Sequence, residues 1–390
     1  MKSYDVAIVG AGPAGCSAAI TLAQRGYTVA LIDRALFPRD KLCGDFVNPI
    51  NWPVLQSLNV GADLLRCRHA KVAKLRLTAA NGAESTSPWA AEGEHRFGLG
   101  LRRYHLDHTL VTRAKNLGVT VKEGTRLRAL EKISPGWNLS IDGPDDLRSL
   151  EAKFLVGADG RNSTVARYLG LTPRPERRPL TASLGFEIEL AGVPGVDGSV
   201  EIHQFAGGYA GLVRVDEHTV NLCFTVRKAS LAGPVSYTNL HRGFLWGNPF
   251  LRELLAGADP VSELRSVWPV YFPARPRCGR GFIMVGDAAR VTEPVTGEGI
   301  FLALRSGQLG AAAIAAALQQ NDGDPNCLSL YDLACRAEFG MRLRINDLLR
   351  VLVQQDKLMP LLIRFLGARS RLLHRLVNTV CLHRSVGTMV

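Results

Sequence analysis

The sequence predicts an α/β fold, on three observations. The first is Gly10-Ala-Gly-Pro-Ala-Gly15, set between the apolar run Tyr4-Asp-Val-Ala-Ile-Val9 and a stretch of small residues that reads as a helix. The second is a middle segment, residues 180–272, in which apolar and polar residues alternate as in half-buried antiparallel strands. The third is a return, at Gly281-Phe-Ile-Met-Val285, to a short buried strand followed by a helix from Gly299 onward. The chain leaves its first domain and comes back to it. The expected architecture is a Rossmann-like domain interleaved with an antiparallel-sheet domain, with C-terminal helices after both. The expected division is 1–70, 100–180 and 273–320 for the first domain, 71–99 and 181–272 for the β-rich one, and 321–390 for the helical region.

The first unit carries the chemistry. Tyr4–Val9 reads as a buried parallel strand, Cys16–Gln24 as a helix, and Thr28-Val-Ala-Leu-Ile32 as a second strand ending on Asp33 and Arg34. Gly10 permits the tight turn, Gly12 lets backbone approach a pyrophosphate, and Gly15 lets helix and strand pack closely. Pro13 and Ala14 open the helix, whose free N–H groups and positive dipole end favour phosphate. Asp33 can accept hydrogen bonds from a ribose diol. Strand, glycine turn, helix, strand and acid in this order make a dinucleotide site.

A charged loop follows, Phe37-Pro-Arg-Asp-Lys-Leu-Cys-Gly-Asp45, then helical segments to about residue 70. Val72–Thr78 alternates as one half-buried strand. Arg102-Arg-Tyr-His-Leu-Asp107 starts a helix reaching Leu117, and residues 119–156 are β-rich. Val156-Gly-Ala-Asp-Gly-Arg-Asn-Ser-Thr164 reads as strand, tight turn and helix start. The antiparallel sheet is expected from Leu184–Leu190, Val200–Phe205, Tyr209–Val213 and Val220–Val226. Val285-Gly-Asp-Ala-Ala289 ends a strand on Gly286-Asp287, and Pro294-Val-Thr-Gly-Glu-Gly-Ile300 feeds a helix.

Composition bounds the reading. In 390 residues, 46% hydrophobic, there is material for a large core and more than one domain. No segment reaches about 18 apolar residues without charge; Ile300–Leu318 comes closest and is interrupted by Arg305 and Gln308. No signal peptide is evident. Eight cysteines without a Cys-x-x-Cys pair indicate neither a metal site nor a disulfide framework, and a reduced cytoplasmic setting fits. The net charge of +12 is uneven: residues 341–390 carry nine Lys or Arg against Asp347 and Asp356. Two readings of that Leu-rich basic region stay open: helices packed on the core with a solvated face, or an amphipathic surface touching an anionic membrane or a lipophilic substrate. No nucleic-acid-binding module is present.

Taken together, Gly10–Gly15, Asp33, Arg103, Asp159-Gly160, Gly286-Asp287 and Gly297–Gly299 resemble, in order, the FAD-binding fold shared by p-hydroxybenzoate hydroxylase-type monooxygenases and geranylgeranyl reductases. The resemblance implies that Gly10–Gly15 and Asp33 hold the ADP half of FAD and that Arg103 lies along it. It implies that Asp287 contacts the ribitol-pyrophosphate portion and that Pro294, Gly297, Gly299 and Ile300 lie beside the isoalloxazine. Lys41, Cys43 and Gly44 belong to a loop near the flavin, and Asp159-Gly160 is implied to assist FAD and NAD(P)H. No second glycine fingerprint follows a strand, so NAD(P)H is expected as a transient reductant.

The branch is divided. Phe37–Gly44 and Thr296–Ile300 look like the geranylgeranyl reductases, whereas Gly208-Tyr-Ala-Gly-Leu-Val-Arg214 lacks their tryptophan and proline. Asp159–Ser163 is closer to the hydroxylases. The tryptophan-rich pattern of the halogenases is absent. The expected function is an NAD(P)H-using monooxygenase acting on a lipophilic aromatic or polyketide-type substrate. The alternative is an ene-reductase saturating C=C bonds of an isoprenoid, and a lesser one a flavin electron carrier. Cys43 and Glu298 are candidate acids, each with a plain structural role as the alternative. His203, Tyr209 and Trp268 are candidate substrate contacts, or simple sheet residues. The flavin carries the hard chemistry.

Overall fold

The fold was analysed in a computed structural model, which describes residues 2–89, 97–144, 146–171, 183–231, 233–320 and 328–381. The parts of the expected domains at 90–96, 172–182, 321–327 and 382–390 lie outside the described residues.

The chain opens with β1 (Lys2–Val9), α1 (Pro13–Ala23) and β2 (Val29–Ile32). Then come β3 (Phe46–Val47), α2 (Trp52–Ser57), α3 (Gly61–Arg66), β4 (Ala70–Val72), β5 (Lys74–Thr78), β6 (Glu84–Pro88) and β7 (Gly98–Gly100). Helix α4 (Arg103–Asn116) leads to β8 (Thr120–Lys122), β9 (Arg126–Ile133), β10 (Gly136–Asp142), β11 (Ser149–Gly157) and α5 (Thr164–Tyr168). The middle of the chain forms β12 (Ser183–Ala191), β13 (Ser199–Phe205), β14 (Gly208–Arg214), β15 (Thr219–Arg227), α6 (Tyr237–Gly243), α7 (Pro249–Leu254), β16 (Asp259–Pro260) and β17 (Arg265–Val267). Last are β18 (Cys278–Gly279), β19 (Phe282–Met284), α8 (Gly299–Gln319), α9 (Ser329–Leu352), α10 (Leu358–Gly367) and α11 (Ser370–Cys381).

In the first sheet β8, β2, β1, β11 and β19 lie side by side and parallel. The central strands read VAIV, VALI and FLVG because both faces are covered. Helices α1, α4 and α8 cover one face, and β9 and β10 fold back on the other side of β11. Helix α8 is long and apolar enough to cross a membrane by length and composition, but it is mostly buried against α1. The approach is close because Gly307 faces α1: a Cβ there would lie 2.3 Å from the Ala14 carbonyl oxygen. Ser17 Oγ donates to the Leu304 carbonyl at 2.6 Å and locks the pair.

The second sheet runs β16-β12-β15-β14-β13-β5-β6. It differs from the expectation in three ways. The expected strand Val72–Thr78 is two strands, because the Ala73 N–H turns aside to the Gly198 carbonyl (2.9 Å). The sheet is not wholly antiparallel, since β13 pairs with β5 in parallel. Residues 237–254 fold as α6 and α7 rather than continuing the sheet. Those helices cover one sheet face, where Phe186, Ile188, Leu212, Leu222 and Phe224 are buried. The alternate residues of β12 and β15 therefore face the nucleotide half. A small sheet, β3-β7-β4, joins the two halves. Arg102, at the start of α4, reaches across to Glu189 (2.6 and 3.0 Å) and Asp216 (2.6 Å).

Candidate active site

The glycine turn sits between β1 and β11, where the chain crosses from one side of the parallel sheet to the other, the usual ligand position in such sheets. Gly10 has φ +106°, and a Cβ there would come within 2.4 Å of the Ala158 carbonyl. Gly15 is closed by packing: a Cβ would lie 1.8 Å from the Gly10 oxygen. Gly12 is different. Its backbone is extended, and the nearest atom to an added Cβ is an Arg39 nitrogen at 3.7 Å. Helix α1 begins at Pro13 with no side-chain cap, leaving its first N–H groups free of side-chain acceptors. The Asp33 carboxylate accepts from the Ala11 N–H (2.7 Å) and the Ala35 N–H (2.9 Å), which ties the turn to the end of β2. Arg34 is exposed beside it.

Three cations converge opposite this turn. Arg103 grips Asp107 through two hydrogen bonds of 2.8 Å, and Arg39 lies 3.2 Å from the same carboxylate. Lys41 Nζ lies 3.9 Å from the position of a Cβ on Gly160, which has φ +78°. Burial, and then the Arg103 charge, pull the Lys41 pKa down. Two acids, Asp107 and Asp287, oppose these cations. An excess of positive charge against an uncapped helix start fits a pyrophosphate. Arg39 and Asp107 were not singled out in the sequence, although Arg39 lies in the charged loop that was.

The returning segment closes the groove. Gly286 packs on Ala14, its N–H donates to Ser306 Oγ (2.9 Å), and Asp287 is half-exposed with Arg161 4.0 Å away. Asp287, Arg290 and Gly299 line a shallow cleft between α8 and α9. Pro294 starts a single 3-10 turn that Gly297 ends at φ +62°, and Phe46 lies against Gly297. Helix α8 then starts at Gly299 and Ile300, again without a side-chain cap. Asp159 is used within the fold. Its carboxylate accepts from Ser163 Oγ (2.5 Å) and the Thr164 and Val165 N–H groups (2.6 and 3.1 Å), fastening the start of α5.

Across the groove, the Cys43-Gly44 loop lies on the inward face of β15. The Cys43 carbonyl accepts from the Cys223 thiol at 3.1 Å and from Asn221 Nδ2 at 3.4 Å. Asn221 Nδ2 also donates to Asp45 (2.9 Å) and to Glu187 (2.8 Å). Asp45, Glu187 and Asn221 are almost wholly buried. Burial, and then Glu187, raise the Asp45 pKa well above the carboxylate range; burial also raises Glu187 against the pull of Arg265. Burial lifts the Cys43 thiol although Arg103 lies beside it. The result is a row of buried acids, each shifted upward by burial, at the boundary between groove and sheet. Only Cys43 of this row was a sequence candidate. Asp45, Glu187, Asn221 and Cys223 come from three distant segments; the alternating acids of Phe186-Glu-Ile-Glu189 were the one available signal.

The other candidates divide. Glu298 is buried and accepts from Arg342 of α9 (2.7 Å); burial still raises its pKa. Tyr209 is buried and donates to Glu293 (2.6 Å), and both line a cleft with Gly207, Thr225, Arg227 and Val353. His203 is not brought to that cleft. It is fully buried, with Nδ1 2.7 Å from Thr78 Oγ1 and Nε2 3.1 Å from Glu201. Trp268 is half-exposed, with the Lys228 ammonium over its ring, and is not among the residues lining the cleft. Among the described residues no group of His, Cys, Asp and Glu could hold a metal.

Comparison with known proteins decides the family: the family described as "FAD binding domain" matches residues 3–207. The chain belongs to that family. It is 30% identical to a menaquinone reductase of Mycolicibacterium smegmatis, over 79% of this chain and 75% of that one. It is 27% identical to digeranylgeranylglycerophospholipid reductase 2 of Methanopyrus kandleri, over 86% and 83% of the two chains. In fold it is similar to a flavin-dependent brominase, with TM-score 0.82, 18% identity and coverage of 98% and 95%. The protein is an FAD-dependent oxidoreductase. As a member of this family it has a groove whose uncapped α1, open Gly12 face and three cations fit the FAD pyrophosphate.

Proposed function

We propose that this FAD-binding-domain protein saturates C=C bonds of a lipophilic, isoprenoid-type substrate, with NAD(P)H as the reductant. The observation that carries this reading is the row of buried acids beneath Cys43-Gly44. FAD bound in the groove supplies hydride chemistry. Saturating a C=C bond also takes one proton, and the protein must hold that proton at neutral pH. Burial keeps the Cys43 thiol protonated, and the Arg103 guanidinium beside it stabilises the thiolate left once the proton has moved to carbon. Asn221 holds the Asp45 and Glu187 carboxyls behind the same loop.

The names of the two reductase relatives support this direction. Hydroxylation was the first expectation, supported by the Asp159–Ser163 segment and by Gly208–Arg214, which lacks the reductases' tryptophan and proline. In the fold Asp159 and Ser163 are occupied in starting α5, so their likeness to the hydroxylases has a structural explanation.

Stopped-flow with Cys43→Ala tests the assignment. NADPH should reduce the bound flavin at the parental rate, while reoxidation by a polyprenyl lipid should slow by at least about 100-fold, the scale of a lost general acid. Equal reoxidation rates in variant and parent would overturn the role of Cys43.

A further inference from the structure

From the outward face of α10 and α11 we infer a docking surface for an anionic lipid bilayer. The two helices each have two unlike sides. Inward, Met359, Ile363, Leu366, Leu373, Val377 and Cys381 are buried, packed over β5, β6 and Tyr209. Ser85 Oγ donates to the Ile363 carbonyl (2.6 Å) and fixes α10 to the sheet. Outward, Leu358, Leu361, Phe365, Leu372 and Leu376 are 38–60% exposed. Isolated exposed leucines are ordinary, but five on adjoining helix faces form a patch of the kind that marks an interaction site.

The charge on that face selects the partner. Arg364, Arg369, Arg371 and Arg375 are exposed among the apolar residues, and Lys357 stands at the start of α10. Arg369 stacks its guanidinium on the Phe365 ring at 4.1 Å. From residue 357 to the end of the sequence there is no Asp or Glu. The last acid, Asp356, is already paired, accepting from the Gly207 N–H (3.0 Å) and from Arg227. Glu84, on the strand beneath, is paired with Arg76. A second copy docked about a twofold axis would set these cations against their own equivalents. An anionic headgroup layer over hydrocarbon offers the matching chemistry: arginines at the phosphates, leucines and Phe365 below them.

The surface adjoins the small cleft lined by Tyr209 and Glu293. Val353 lines that cleft and belongs to the same apolar cluster as Tyr209, Met359 and Ile363. Docking therefore brings the rim formed by the α9–α10 turn to the bilayer. The docking itself stands apart from the reaction proposed above, and its test needs no turnover.

The test is flotation of the full-length, FAD-loaded protein with vesicles of phosphatidylcholine alone or of equal parts phosphatidylcholine and phosphatidylglycerol. Binding is expected on the anionic vesicles at about 0.05 M salt and largely lost at about 0.5 M. Arg371→Glu/Arg375→Glu should weaken it at least about tenfold, and Leu361→Asp/Phe365→Asp should do the same. All four positions are exposed, so flavin absorbance and melting temperature should stay parental and exclude misfolding. Failure of the parent to float with anionic vesicles, or parental binding by both variants, would overturn the proposal. So would a dimer that Leu361→Asp/Phe365→Asp dissociates, because the face would then be covered by a second copy.

Discussion

The Cys223 thiol donates a hydrogen bond to the Cys43 carbonyl oxygen at 3.1 Å, and so fastens the Cys43-Gly44 loop to the substrate sheet. The longer bond from Asn221 Nδ2 meets the same carbonyl at 3.4 Å. Cys223→Ala should leave FAD binding within a few-fold of parental and slow substrate reduction. Fluorescence titration and steady-state turnover with NADPH read the two effects separately.

Asn221→Leu should be costly. It removes the donor shared by two buried carboxyls, and each unpaired group costs about 1–3 kcal/mol. Urea unfolding should show a loss in that range or larger, while Asn221→Gln should recover part of it.

The same carboxyls set a pH dependence. Burial raises both Asp45 and Glu187, so the native state holds their protons where the unfolded chain, with carboxyl pKa values of about 4, has released them. Protons held more tightly by the native state make stability fall as pH rises above about 4 and through the raised values. Asp45→Asn should flatten that slope above about pH 4 in urea unfolding. A slope equal to the parental one would show that Asp45 is ionised in the fold.

The glycine turn separates folding from binding. Gly12→Val should leave a folded protein without FAD, because a side chain there meets no rigid neighbour and fills the face set toward the pyrophosphate. Gly15→Ala should fail to fold, because its Cβ would overlap the Gly10 oxygen. Circular dichroism and flavin absorbance report the two outcomes.

Asp33→Ala should cost about 1–3 kcal/mol in stability as well as FAD affinity, because its carboxylate satisfies the Ala11 and Ala35 N–H groups. Unfolding and flavin titration of the same variant measure both losses.

The nucleotide half was legible in the sequence because its function is carried by consecutive residues: Gly10–Gly15 acts through the backbone, and one strand further on comes Asp33. The acid row was not legible, since Asp45, Glu187 and Asn221 meet only when three segments cross. His203 shows a second limit. Alternation in Val200–Phe205 marks two faces of a strand, but both faces of β13 are covered at that point, and period alone does not say which one borders the substrate. The basic C-terminal region was read as either core or surface; α10 and α11 are core on one side and surface on the other, as an amphipathic helix of a globular protein can be.

Anaerobic turnover in D₂O with NADPH and a polyprenyl lipid tests the central claim most directly. Mass spectrometry of the product should show each reacted C=C bond saturated, with one hydrogen from NADPH and one deuterium from solvent, and no need for O₂. Absence of turnover without O₂, and a product heavier by an oxygen atom in its presence, would contradict the account and assign the site to hydroxylation.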